Sequence, residues 1–149
     1  MQTFLPYPDY QKSAQVLDNK RLGKQRVEAW QILRTIGKQE RAKGWRNHPA
    51  VNMWRGYEIE LCEYGLAMCD EWVRRGFKDS LRRKFEVALF MLSMNLKHKK
   101  PKWLGDERLH LSHQSNLIRK DPEYKLLFPN APENLAYFWV SKEEEYINA

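Results

Sequence analysis

Cysteine is nearly absent: the 149 residues include two, Cys62 and Cys69. They lie two helical turns apart in a helix-like stretch, so their Cα atoms would stand roughly 10 Å from one another, too far for a mutual disulfide. Two reduced, core-packed thiols are expected. No apolar run reaches the length of a membrane span, so no membrane partner is expected. The opening MQTFLPYPDY lacks the charged and apolar regions of a secretory signal, and a cytoplasmic location is expected. Alternating apolar and polar runs are scarce, which leaves little from which to build a sheet. Repeats, low-complexity tracts and flexible linkers are missing too. So are G-x-S-x-G, H-E-x-x-H and a glycine-rich phosphate loop. His110 and His113 can share one side of a helical turn, but no cysteine or acid stands beside them at ligand spacing. No metal and no cofactor is expected.

What the chain does contain is positive charge and aromatic rings. Lys and Arg total 26 against 19 Asp and Glu, for a formal net charge of +7, with six Trp, seven Tyr and six Phe. The sequence pI is about 9.4 and hydrophobic residues make up 42 %. That size and composition suit one folded domain over residues 1–149, able to bury a core without staples. A basic, aromatic-rich domain is a candidate for nucleic-acid binding.

Punctuation residues divide the chain. Pro6 and Pro8 keep the start extended. Asp9 is placed to cap a short helix through Leu17, and Asp18 a longer one to Ile36 that Gly37 closes. Leu22, Ala29, Leu33 and Ile36 follow helical spacing. Pro49 suits a first helical turn with Asn47 or His48 as the cap, and that helix is expected to run through EIELCEYGLAMCDEWVRR to Gly76. Asp79 or Ser80 is placed to cap a third, LRRKFEVALFMLSMNL, and Ser112 a short fourth, HQSNLIRK. Met53, Met68, Met91 and Met94 fall at apolar positions and are expected in the core. FPNAPENLAYFWV reads as irregular, with one possible short strand. The expected fold is all-α: three main helices, short helices and an irregular C-terminal segment.

The segment DNKRLGKQRVEAW places Arg21, Lys24, Gln25 and Glu28 on one helical face. Glu28 has two readings. It is an ordinary i,i+4 partner of Lys24, worth a few tenths of a kcal/mol, or it is an acid held in a nucleic-acid groove. The second reading needs a nucleophile, and the side-chain motifs supply none. The chain's own α-amine remains. Methionine is not trimmed before a residue as large as Gln2, so the expected start is Met1. An α-amino group titrates near 8 and is partly neutral at physiological pH. A neutral amine can attack a sugar C1′ and form a Schiff base.

An extended N-terminus followed by a helix with one key Glu resembles the endonuclease V-type pyrimidine dimer DNA glycosylases. The residues that carry the likeness are RLGKQRVEAW, with Glu28 at the family's essential acid and Met1 at its N-terminal nucleophile; SHQSNLIRKDPEYKLLF is a weaker match. LPYPDY and WRNHPAVNMWRGYE resemble a bacterial and phage branch of small proteins. Two positions depart from the pattern: Val27 stands before Glu28 where the phage enzyme has Arg, and Gln2 follows Met1 in place of the small residue with which the family member begins after Met removal. The resemblance implies a glycosylase with β-elimination (AP lyase) activity on a damaged or modified base in double-stranded DNA, acting as a monomer, with Met1 and Glu28 catalytic. Arg21, Lys24, Gln25 and Arg26 are candidates for DNA binding, against a bland reading as solvated helix charges. In WRNHPAVNMWRGYE, Arg46, Asn47 and His48, with Trp45, Trp54, Arg55 and Tyr57 around them, are candidates to line a base pocket, and the tryptophans read equally well as core. His113, Gln114, Arg119, Lys120 and Tyr124 are the late DNA-facing candidates. Two other functions fit the same residues: a non-catalytic DNA or RNA binder, and an N-glycosidase acting on RNA or nucleotides.

Overall fold

The computed structural model describes residues 1–37 and 46–140, and it is all-helical. The elements are α1 (Tyr10–Val16), α2 (Asn19–Gly37), α3 (Pro49–Trp54), α4 (Glu58–Arg74), α5 (Arg82–Asn95) and α6 (Glu107–Lys120), followed by a 3-10 turn at Pro122–Leu126. Asp9 caps α1 by accepting the Lys12 N–H, and Asp18 accepts the Arg21 N–H at the start of α2. Asp79 accepts from the N–H groups of Leu81 and Arg82 and opens α5. The short polar side chains thus satisfy orphan donors where the sequence places them.

Helix α4 is the centre, packed against α1, α2 and α5. It buries Ile59, Leu61, Cys62, Tyr64, Gly65, Ala67, Met68 and Cys69, so it is covered on most of its circumference. Cys62 and Cys69 are free thiols in that core, and burial pushes the pKa of each up to about 12. Trp54 and Trp103 meet edge to face, 4.8 Å between centroids, at the α3 end of the same core.

The structure corrects several expectations. The helix expected from Pro49 to Gly76 is two helices. Gly56, at φ 86°, adopts a left-handed turn between α3 and α4, a conformation that ends a helix and that glycine adopts without steric cost. Helix α6 starts at Glu107 rather than after Ser112, because Asp106 accepts the Arg108 N–H and caps it. Ser112 lies inside the helix, where its hydroxyl donates to the Leu109 carbonyl. No strand forms among the described residues. Met53 and Met68 are core residues, but Met91 and Met94 are 60 % and 70 % exposed; α5 turns only Phe85 fully inward. Trp54 is fully buried with its indole N–H on Thr3 Oγ1, so it lines no pocket. Trp45 lies outside the described residues.

One close approach is a testable packing constraint. A Cβ at Gly65 would lie 2.4 Å from the Phe85 ring, so α4 and α5 meet face to ring at a position where only glycine fits. Gly65→Ala gains about 1 kcal/mol of helix propensity, yet overpacking costs roughly 1–3 kcal/mol. The expected outcome in urea unfolding is a net loss of stability; a gain would show that the α4–α5 contact yields at no cost.

Candidate active site

Residues 2–6 are buried and extended with no strand beside them. Their backbone groups are bonded by side chains from the helices. The Gln2 N–H donates to Glu28 Oε2 at 2.6 Å, and the Gln25 amide donates to the Gln2 carbonyl and accepts the Phe4 N–H. The Tyr64 hydroxyl lies between the Phe4 carbonyl (2.9 Å) and Gln25 Oε1 (2.6 Å). From α6, His113 Nδ1 accepts the Leu5 N–H at 2.8 Å, and Gln114 donates to the Pro6 carbonyl. His110 Nε2 accepts the Gly105 N–H, so Nδ1 carries the proton and donates to the Leu5 carbonyl. Buried polar groups need partners, and here the helices provide them.

The consequence is a fixed N-terminus. Successive backbone nitrogens are three bonds apart, so the Met1 α-amine lies within about 6 Å of Glu28 Oε2. Both residues line one cleft of about 280 Å³ with Gln2, Phe4, Lys20, Arg21, Lys24, Gln25, Lys120 and Tyr137. No ion pair joins Lys24 to Glu28 among the described residues; the described partner of Glu28 is the Gln2 N–H. Cations thus rim the cleft around one carboxylate. A larger hollow of about 560 Å³ is lined by Asp9, Glu63 and Asp70 with Lys100, a charge balance unsuited to phosphate.

The other sequence candidates separate. Arg21 is half-buried and paired with Asp18 at 3.0 Å. Burial alone would raise the Asp18 pKa, but hydrogen bonds from Tyr124 and Arg21 outweigh it and hold it below the ordinary value. Gln25 lies at the cleft floor, 2 % exposed, with its amide spent on the N-terminal segment. Arg26 is 8 % exposed and turned away into an ion pair with Asp79 at 2.7 Å, over the Trp72 ring. His113 is fully buried beneath Leu5, and Tyr124 is buried with its hydroxyl on Asp18. Arg26, His113 and Tyr124 are thus buried and engaged within the protein, away from the open rim. Gln114 is half-buried on the Pro6 carbonyl, whereas Arg119 is exposed, its guanidinium on the Leu135 carbonyl.

Arg46 and Asn47 are exposed beside the cap of α3, and the Arg46 carbonyl accepts from the Arg55 guanidinium. His48 Nδ1 accepts the Ala50 N–H at 3.0 Å. Burial lowers the His48 pKa, the Met1 ammonium lowers it further and Glu28 opposes both. His48 thus lies within electrostatic reach of Met1 and Glu28 but is not part of the cleft lining. Four lining residues were missed in the sequence: Gln2, Phe4, Lys20 and Tyr137. Tyr137 comes from the irregular segment, where aromatic density without periodicity gives no facing. Gln2 was read only for its size beside Met1.

Residues 1–85 match the model of a family described as pyrimidine dimer DNA glycosylase. That span is more than half of the chain, and it holds the N-terminal segment, α2 and Glu28. No curated protein and no solved structure matches the chain.

The histidine strut makes a pH prediction. Burial, and then the neighbouring His110, depresses the His113 pKa to about 3. Burial likewise lowers that of His110. The unfolded chain takes up a proton on each near pH 6.5, which the folded chain resists. Their contribution is thus full above about pH 6.5 and is lost as pH falls toward 3, by up to about 1.4 kcal/mol per pH unit for each proton. His113→Asn can keep an acceptor for the Leu5 N–H while removing the titration. Chemical unfolding from pH 7 to 4 should show a shallower loss for the variant; an unchanged slope would assign the titration to other groups.

Proposed function

The chain belongs to the pyrimidine dimer DNA glycosylase family, and we propose that it removes a base from double-stranded DNA through the α-amine of Met1 and then nicks the strand by β-elimination. The observation that carries this reading is the Gln2 N–H on Glu28 Oε2, which sets the amine beside the carboxylate in a cleft rimmed by Lys20, Arg21, Lys24 and Lys120. Phosphates flanking an extruded nucleotide meet those cations. The neutral amine attacks C1′. Its nitrogen bonds to that carbon as the bond to the base breaks, and the base departs with the bonding pair and a proton. Glu28 stabilises the positive charge that develops on the sugar. It then carries the protons of ring opening to a Schiff base and of β-elimination. No side-chain nucleophile is required.

Glu28→Gln keeps the size and an oxygen acceptor for the Gln2 N–H but removes charge and basicity. The variant should fold and bind DNA, with nicking slowed roughly a hundredfold or more, as for loss of a general acid or base. Wild-type nicking by this variant would make Glu28 a structural acceptor only. Borohydride should trap a covalent protein–DNA adduct on the native chain, and one extra residue before Met1 should abolish it by displacing the amine. A chain that binds DNA without a trapped adduct is a non-catalytic binder.

The rim makes a separate prediction. Reversing Lys24 or Lys120 to Glu should weaken DNA binding and flatten its salt dependence by about one unit of log–log slope. Unchanged affinity for both would put the DNA surface elsewhere. Reversing Arg26 should instead destabilise the fold, because it leaves Asp79 buried without its partner.

A further inference from the structure

Helix α5 is apolar on both sides. Phe85, Ala88, Leu89 and Leu92 form the side that packs onto the core. Val87, Phe90, Met91 and Met94 recur at i, i+3, i+4 and i+7 on the opposite side. Val87 and Phe90 are 48 % and 68 % exposed, alongside the exposed Met91 and Met94. A helix apolar all round belongs between two layers, yet this second side faces solvent among the described residues. Phenylalanine and methionine are enriched at interface centres, and the flexible methionine thioether repacks against varied partners. The stripe is separate from the cleft. Trp30 meets Phe85 of α5 edge to face at 5.3 Å, and Trp30 is turned about 200° around α2 from Glu28. No residue of α5 lines the cleft. The charge around the stripe is one-sided. From Arg82 to Lys102 the chain has seven Lys and Arg and one carboxylate, Glu86, which Arg82 already engages at 2.9 Å. Arg83 precedes Val87 by one turn on the same side, and Lys97 follows the last turn. Neither has an ion pair among the described residues.

We propose that this side of α5 is a docking surface for an acidic amphipathic helix of a partner protein. The partner lays aliphatic side chains along Val87, Phe90, Met91 and Met94 and sets carboxylates against Arg83 and Lys97. Charge selects this occupant. Both ends of α5 are basic, with Arg82, Arg83 and Lys84 before the stripe and Lys97, Lys99 and Lys100 after it. A second copy of the chain would therefore bring cations against cations in either orientation, and like charges facing across an interface oppose association. A nucleic-acid backbone would meet the cations but leave the apolar stripe unmatched. An acidic amphipathic helix matches both. From Arg83 to Met94 the surface runs about 17 Å along α5, which an ordinary helix of three turns covers. The face lies on the far side of α2 from Glu28, so the partner leaves the cleft open. The inference does not depend on the chemistry of the cleft.

The test uses the full chain and a fluorescein-labelled synthetic helix, about three heptads long, with leucine at a and d, glutamate at e and g and alanine elsewhere. Fluorescence anisotropy should show binding that weakens as salt rises. Phe90→Ser and Met94→Ser remove apolar contact at exposed positions, so the fold should hold, which an unchanged urea midpoint verifies. Each should weaken binding by about tenfold or more, the scale of losing a central anchor. Arg83→Glu combined with Lys97→Glu should weaken it at low salt, whereas Lys24→Glu at the cleft rim should leave it within about twofold. No binding of the peptide to the native chain would overturn the proposal. Equal binding of a scrambled peptide of the same composition, or of the native peptide to both serine variants, would reduce the attraction to net charge and overturn it as well. Displacement of the peptide by plain duplex DNA would give the α5 cations to phosphate. A dimer in sedimentation that Phe90→Ser dissociates would give the face to a second copy, and phosphatidylglycerol vesicles that bind the native chain but not Phe90→Ser would give it to a lipid surface. Any of these three results would also overturn the proposal.

Discussion

An extended segment buried without a sheet must find partners for its backbone elsewhere, and this constraint organises the molecule. Each orphaned buried N–H or carbonyl would cost about 1–3 kcal/mol, a large fraction of a domain's whole stability. Gln25 from α2, Tyr64 from α4, and His110, His113 and Gln114 from α6 supply those partners. Three helices that are distant in sequence therefore converge on the first six residues. Removing any one of these side chains would leave a backbone group stranded. The same convergence gives the terminal amine a position, which an ordinary chain end lacks.

The cations fall into two populations with different physical roles. Several arginines act as struts. Arg26 holds Asp79 at the start of α5, and Arg75 joins Glu71 to Asn19 and to the α1 carbonyls of Ala14 and Gln15. A planar guanidinium with five donors suits that bridging. The cleft rim is mostly lysine: Lys20, Lys24 and Lys120 have no ion pair among the described residues. A hydrated ammonium on a flexible stem follows a phosphate without fixing it. The net charge of +7 understates this separation, because the strut arginines, like Arg21 at the rim, are neutralised locally by a carboxylate while the rim lysines are not.

Much of the helical frame was legible because it depends on local chemistry. Asp9 and Asp18 cap where they were expected to, Asp79, one of two candidates, accepts from the first N–H groups of α5 although Leu81 is its cap residue, and α2 keeps its apolar stripe. The meeting of Met1 and Glu28 was legible through a family pattern rather than through spacing, since nothing local brings residue 2 to residue 28. The roles of Gln25, Arg26, His113 and Tyr124 were not legible. Each is a polar side chain on a helix, and helical spacing specifies a face but not whether that face meets solvent or a buried strand. The break at Gly56 was hidden for a related reason: apolar residues continue through it, and only a positive φ, set by tertiary packing, ends α3 there.

Val27 stands before Glu28 where the phage enzyme this chain resembles has an arginine, and the geometry of α2 shows what that departure means for the cleft. Val27 is 44 % exposed and does not line the cleft. A residue adjacent to Glu28 is turned about a hundred degrees from it around the helix. The cations that share the face of Glu28 lie one and two turns earlier, at Lys24, Arg21 and Lys20, where i−4, i−7 and i−8 bring them over the same groove. An arginine at position 27 would need its full length to wrap back to the cleft. Three cations on the correct face, with Lys120 opposite from α6, put the same sign of charge around the carboxylate without that reach. The exchange leaves Glu28 free of a fixed bidentate partner, and its described hydrogen bond then comes from the segment that carries the amine.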